Sequence, residues 1–319
     1  IKHSIYQPIM KAATVSVALL ALSSTVGAED MIRVPLNKRN GLQSIMSKLE
    51  VSASHKAKLT SEPGNEDVID YRNTQYYGEV SLGTPEQKFE VLFDTSVSDL
   101  LVPSNQCDSS CSYHTQYSST SSSTYIRKGQ KYDYTDAMTG KTVSGFQSMD
   151  TLNFGGYEVP FQGFVEVTSI SGSQGDYQKA KFDGVLGMGM GSQSVNDQNT
   201  AMENLKNEGM ISKNMFGLYL GNSTSEVGEL SLGGYDSAHA SYTPHTVYTI
   251  NSEHWLTSLS SWSMYKAASS SSHNVLFDTS SAFITGPVAE VAEIAESIGA
   301  WEVDGVSGLY TIGCDYSLP

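Results

Sequence analysis

The segment Val91-Leu92-Phe93-Asp94-Thr95-Ser96 occurs twice in this chain. Val275-Leu276-Phe277-Asp278-Thr279-Ser280 repeats it residue for residue, 184 positions later. Each copy runs from an apolar strand into an acidic turn. A carboxylate at the tip of a buried strand is costly to desolvate unless its charge is held, and two copies of that cost point to one site built from two halves. Two carboxylates at hydrogen-bonding distance cannot both stay ionised; they share a proton, and one serves as base while the other serves as acid. A water held between Asp94 and Asp278 can be deprotonated as it attacks an electrophilic carbon, with the proton passed on towards the leaving group. This chemistry needs no covalent intermediate, metal or cofactor, and its two protons titrate as a pair.

Those turns need strands to deliver them. Residues 76–85 alternate apolar and polar positions and close on Gly83-Thr84-Pro85, and residues 89–93 form the next apolar run, so the pattern predicts a hairpin that carries Asp94 to its turn. Residues 32–36 read as another strand, and Leu42, Ile45, Met46 and Leu49 fall at helical spacing. Val288 to Ile298 place Val288, Val291, Ala292 and Ala295 on one helical face. The serine-rich stretches 118–124 and 269–272 read as exposed loops, and Gly233-Gly234-Tyr235-Asp236 with residues 237–241 as a boundary between two lobes. With 319 residues, 39% of them hydrophobic, the chain is long enough for one large or two medium cores. Its 28 glycines and 9 prolines, among many valines, tyrosines, threonines and serines, favour short strands and tight turns.

The N-terminal region has a different character. Met10-Lys11, an apolar run over 12–22, polar Ser23-Ser24-Thr25 and the small-residue end Val26-Gly27-Ala28 follow the order of a secretory signal peptide, with cleavage expected after Ala28. No stretch of the body reaches the length of a membrane span. The net charge of −15 hides an asymmetry: residues 31–60 carry six basic residues against the single acid Glu50, while from Tyr76 onward there are 27 acids and 10 bases. A basic leader on an acidic body can be a clamp that neutral pH holds shut and acid loosens, or simply a solvated helical face. So acidic a body argues against nucleic acid as a partner. Asn222-Ser223-Thr224 is an acceptor for N-glycosylation if the protein is secreted, and otherwise an ordinary surface turn.

Residues 76–104 resemble the opening of the pepsin-like aspartic proteases, with Tyr76-Tyr77-Gly78, Leu82-Gly83-Thr84-Pro85, the Phe93-Asp94-Thr95 turn and Val102-Pro103-Ser104. The resemblance continues through Phe182-Asp183-Gly184-Val185-Leu186-Gly187, Leu230-Ser231-Leu232-Gly233-Gly234, Phe277-Asp278-Thr279 and Ile284-Thr285-Gly286-Pro287. Ile32-Arg33-Val34-Pro35-Leu36 is similar to the start of that family's prosegment. It implies an all-β, bilobal fold with the active-site cleft between lobes. On this reading 10–28 is the signal, 29–75 the prosegment and intramolecular inhibitor, 76–236 the N-terminal lobe and 237–319 a C-terminal lobe that is incomplete. The implied activity is hydrolysis of peptide bonds at acid pH by a monomer in the secretory route, outside the cell or in an acidic organelle. Proteins or peptides would be the substrates, with large apolar residues preferred around the scissile bond.

The resemblance also assigns roles and exposes departures. Thr95 and Thr279 would bond across the lobe interface. Tyr134 would be the tyrosine that closes over substrate, with Tyr132 as the alternative and an ordinary strand tyrosine as the bland reading. Cys107 and Cys111 would form the family's small disulfide loop rather than stand as free thiols. Cys314 would pair with a cysteine beyond Pro319, which points to a truncated sequence. The family's turn is Asp-Thr-Gly, but Ser96 and Ser280 occupy the third position here, adding bulk and, at positive φ, strain. Val97 replaces a serine that steadies Asp94, Leu101 replaces a tryptophan behind the flap, and Ser281 keeps its hydroxyl. Two readings follow: an acid endopeptidase that tolerates the serines, or a protease-shaped peptide-binding decoy with little turnover. Buried carboxylates without a use would be destabilising, which favours the enzyme.

Overall fold

The computed structural model describes residues 32–38, 76–136, 141–172, 177–178, 180–220, 228–240, 244–281, 283–303 and 307–313. The signal-like segment, the helical pattern over 42–49, Asn222 and Cys314 lie outside the described residues.

A ten-stranded sheet dominates the first part of the chain. Its strands are β1 (Ile32–Lys38), β2 (Tyr76–Leu82), β3 (Gln87–Asp94), β4 (Leu100–Pro103), β5 (Ile126–Thr135), β6 (Thr142–Phe154), β7 (Tyr157–Ser171), β8 (Gly184–Gly187), β9 (Phe216–Tyr219) and β10 (Gly228–Leu232). They lie in the order β5-β6-β7-β4-β8-β3-β2-β1-β10-β9. The hairpin read from alternation is present, with Val80 opposite Phe89 and Tyr77 opposite Leu92. β3 begins half-exposed and ends in the continuously buried run Val91 to Asp94, because there β2 flanks it on one edge and β8 on the other.

Both large side chains and acids fill this core. Phe89, Phe93, Phe154, Phe164, Leu82, Leu152 and Leu186 are buried in one cluster. The buried acids are satisfied by hydroxyls: Ser104 and Ser148 donate to Glu166 at 2.9 and 2.7 Å, and Tyr117 and Thr124 donate to Asp150. Helix α1 (Ala201–Asn207) is set by a capping box in which Thr200 and Glu203 bond each other's backbone N–H groups.

The second part holds three two-stranded ribbons, β11 (Leu256–Leu259) with β14 (His273–Leu276), β12 (Trp262–Met264) with β13 (Ala267–Ser269), and β15 (Trp301–Glu302) with β16 (Tyr310–Thr311). Helix α2 (Val288–Ile298) ends on Gly299 in the left-handed region. Its inner face is narrower than the periodicity predicts: Ala295 is buried and Val291 and Ala292 are half-buried, but Val288 is 73% exposed. The serine-rich stretches are also more structured than loops. Ser119–Ser121 form a turn of 3-10 helix, Ser122 accepts the Thr84 N–H at 3.0 Å, and Ser269 ends a strand. The all-β expectation holds, with two α-helices among the described residues, none long and apolar enough to cross a membrane.

Candidate active site

Asp94 is the last residue of β3, and its turn is gripped from behind by the chain that leaves β8. The N–H groups of Gly187, Met188 and Gly189 donate to the carbonyls of Asp99, Asp94 and Val97 at 3.0, 2.7 and 2.7 Å. That approach requires glycine at 187, where a Cβ would stand 2.3 Å from the Ser98 carbonyl carbon. The carboxylate is 6% exposed, and its Oδ1 accepts from the Ser96 N–H at 2.8 Å and the Ser96 hydroxyl at 2.6 Å. Burial pushes the Asp94 carboxyl up to about 6; the Ser96 bonds pull against that shift, and the charges of Asp278 and Asp136 add to it.

The second corner has the same local geometry in a wetter setting. The Ser280 N–H and hydroxyl donate to Asp278 Oδ1 at 2.8 and 2.7 Å, while Asp278 itself is only half-buried. Phe277 is held by its N–H to the Trp255 carbonyl at 3.0 Å. Among the described residues no strand runs beside this turn as β8 runs beside the Asp94 turn.

The two corners are cross-bonded through their threonines. Thr95 Oγ1 donates to the Phe277 carbonyl at 2.7 Å and Thr279 Oγ1 donates to the Phe93 carbonyl at 2.6 Å. Each backbone N–H in turn donates to the opposite hydroxyl at 3.1 Å. This near-symmetric knot ties the two aspartate turns together, and both Asp94 and Asp278 act on the same phenol, that of Tyr134.

The departures at the turns read differently in three dimensions. Neither Ser96 nor Ser280 has a positive φ, so the anticipated strain does not arise, and each hydroxyl instead tightens its own aspartate. Val97 contributes its carbonyl to Gly189 and its side chain to the apolar cluster around Leu101 and Tyr132. Ser281, which keeps the hydroxyl that the resemblance expects beside the second aspartate, turns it to the Phe283 carbonyl at 3.0 Å, while the Ser280 hydroxyl takes Asp278 Oδ1.

The β5–β6 hairpin lies over this region. Tyr132 is fully buried beside the Asp99 carboxylate, whereas Tyr134 is half-buried one step nearer the tip. Burial raises the Tyr134 phenol, with Asp136, Asp94 and Asp278 adding to the shift. Asp99 was not singled out from sequence. It is 7% exposed and accepts from the Ser194 hydroxyl at 2.6 Å and the Val195 N–H at 3.1 Å, tying the aspartate turn to the hairpin and to the chain after β8. The signal was its place in the apolar run that follows Asp94. Trp255 was also missed; its indole N–H donates to the Met188 carbonyl at 2.8 Å and joins the two halves of the chain.

The leader strand β1 pairs with β10 through residues 32–36 and with β2 through residues 37–38. Arg33 donates to both oxygens of Glu229 at 3.0 Å and also to Asp236. Glu229, Asp236 and His239 have ligand atoms within 4.8 Å of one another, and the guanidinium takes that acidic corner. Cys107 and Cys111 form a disulfide.

Comparison with known proteins matches this arrangement. The sequence profile of the eukaryotic aspartyl protease family covers residues 75–319. Cathepsin D of Gallus gallus is 34% identical over 322 aligned positions, covering 94% of this chain and 79% of the relative. A renin of Echis ocellatus is 35% identical over 255 positions, 77% of this chain and 62% of its own length, and cathepsin D of Dictyostelium discoideum is 29% identical over 88% of this chain and 74% of its own length.

Proposed function

The chain belongs to the eukaryotic aspartyl proteases, and from that premise we propose that it is an acid endopeptidase working through Asp94 and Asp278. The observation that carries the reading is the threonine knot, which ties both aspartate corners together while each serine holds one carboxylate oxygen in place. Asp94, the more buried partner, keeps the shared proton at acid pH, and Asp278 is the base. As the water oxygen bonds to the peptide carbonyl carbon, its proton passes to Asp278 and the Asp94 proton passes to the carbonyl oxygen. The C–N bond then breaks as Asp278 protonates the leaving nitrogen and Asp94 recovers a proton from the diol, restoring the starting pair. The substrates are proteins or peptides with large apolar residues around the scissile bond.

In this reading residues 10–28 direct the chain into the secretory route and 29–75 block it until acid loosens them, with 76–236 and 237–319 as the two lobes of a monomer. It acts outside the cell or in an acidic organelle, and Asn222 carries a glycan. Tyr134 is the residue that closes over bound peptide, supported by its position in the fields of both aspartates. The test is cleavage of denatured globin by the full chain at pH 4–5, with and without a transition-state peptide inhibitor. Asp94→Asn and Asp278→Asn are each expected to lower inhibitor-sensitive turnover at least ~10³-fold. Inhibitor binding without any turnover in the unaltered protein would instead mark it as a peptide-binding decoy.

A further inference from the structure

Where the chain leaving β8 meets the second part of the molecule, a pocket of about 270 Å³ opens. Its walls are apolar: Met190 after β8, Met202 on α1, Met215 and Phe216 at the start of β9, and Trp255 from the second part. Met202 and Phe216 are buried, while Met190, Met215 and Trp255 are half-buried. The rings of Phe216 and Trp255 meet edge to face, with centroids 5.6 Å apart and planes at 81°. None of the lining residues belongs to an aspartate turn or to the β5–β6 hairpin. Trp255 nevertheless bonds towards both corners. Its indole N–H donates to the Met188 carbonyl, the Met188 N–H donates to the Asp94 carbonyl, and the Trp255 carbonyl accepts from the Phe277 N–H.

The one charged side chain in this lining is Glu203. The N–H and hydroxyl of Thr200 both donate to its Oε2, at 2.9 and 3.2 Å. Its Oε1 lies against Gly191, where a Cβ would stand only 2.2 Å from that oxygen, so glycine at 191 makes room for the carboxylate. From this lining we propose that the pocket is a second binding site, separate from the peptide cleft, for a compact organic cation with an apolar body, an aryl-alkyl ammonium. The ammonium donates to Glu203 Oε1, and the apolar body packs on the methionine thioethers and on Trp255. A neutral molecule of the same shape would cover the carboxylate without giving it a partner, which costs affinity. The volume lies just below the range of drug-sized sites and suits a ligand of roughly ten non-hydrogen atoms. The acidic body, with 27 acids against 10 bases from Tyr76 onward, draws a cation rather than an anion.

The experiment titrates the full chain at pH 7 with phenethylammonium and with its neutral counterpart 2-phenylethanol, by calorimetry and by the signals of isotope-labelled methionine methyl groups. The ammonium is expected to bind with a dissociation constant of roughly 0.1–1 mM, which is within reach of so small a ligand. The alcohol is expected to bind about 10-fold more weakly, the difference that one charge-assisted contact supplies. The methyl signals of Met190, Met202 and Met215 move, and those of Met149 on β6 and Met264 on β12 do not. Glu203→Gln preserves the capping box, where glutamine also serves, and brings the ammonium down to the affinity of the alcohol without changing the alcohol. Glu208→Gln, at the exposed end of α1, changes neither. Asp94→Asn keeps the ammonium affinity, because the dyad does not hold this ligand. These readouts need no turnover, so they stand even where the endopeptidase reading fails. Equal affinity for the two probes, an ammonium affinity that Glu203→Gln leaves unchanged, binding lost in Asp94→Asn, or methyl shifts that miss the three pocket methionines overturns the proposal.

Discussion

A serine beside each aspartate brings a Cβ and a hydroxyl to a turn where the family has glycine, and both hydroxyls end on the carboxylate they accompany. These bonds favour the ionised form, so they oppose the burial that pushes Asp94 up to about 6. Ser96→Ala removes one of them and is expected to raise that value further, moving the alkaline limb of the kcat/KM profile to higher pH; a profile at half-unit intervals reads it. Asp94 also predicts how stability depends on pH. Its folded value lies above the ordinary carboxylate range, so the folded state binds the proton more tightly. The contribution is therefore complete below about pH 4 and lost as pH rises towards 6, by about 3 kcal/mol. Urea titrations at pH 4 and pH 7 are expected to show this loss in the unaltered protein relative to Asp94→Asn. The acids and the duplicated motif were legible in sequence because chemistry and spacing announced them. The role of the serine hydroxyls was open until their direction was known, and Ser281 shows that keeping a hydroxyl does not aim it.

Elements differ in how far their neighbours lie along the chain, and that decides what could be read. The β2–β3 hairpin and α2 are local, so alternation and helical spacing located both. Tyr132 and Tyr134 could not be told apart by period, because residues two apart share a face. Only depth separates them, the first fully buried beside Asp99 and the second half-buried within the fields of both aspartates. The threonine knot joins corners 184 residues apart, and its strength belongs to the pair of turns rather than to either alone. Thr95→Val deletes the bond to the Phe277 carbonyl and leaves the Thr279 N–H without its acceptor. The expected cost is ~2–3 kcal/mol, seen as a lower melting temperature, while Thr95→Ser keeps both bonds and most of the stability. Combining Thr95→Val with Thr279→Val should cost less than the two separate losses together, since each change already loosens the same knot.

At the scale of the whole molecule the dominant asymmetry is a basic leader lying on an acidic body. Composition revealed the charge imbalance, but not where the two meet, because Arg33 and Glu229 are 196 residues apart. Arg33→Ala removes the cation from the corner formed by Glu229, Asp236 and His239. Hydrogen exchange at neutral pH is then expected to quicken for the paired amides of β1 and β10, with those of β2 and β3 unchanged. The reach of β1 goes beyond charge. Its residues 32–36 pair with β10 and its residues 37–38 with β2, so among the described residues the β9–β10 ribbon joins the rest of the sheet through this strand alone. Strand β1 is thus a keystone of the sheet as well as a carrier of charge. Removing it without a substitute would cut β10 and β9 from the other strands, so under the proposed prosegment role activation would require some other extended stretch to slide into the vacated lane. A chain synthesised without residues 32–38 would lack the template on which β10 first finds its place.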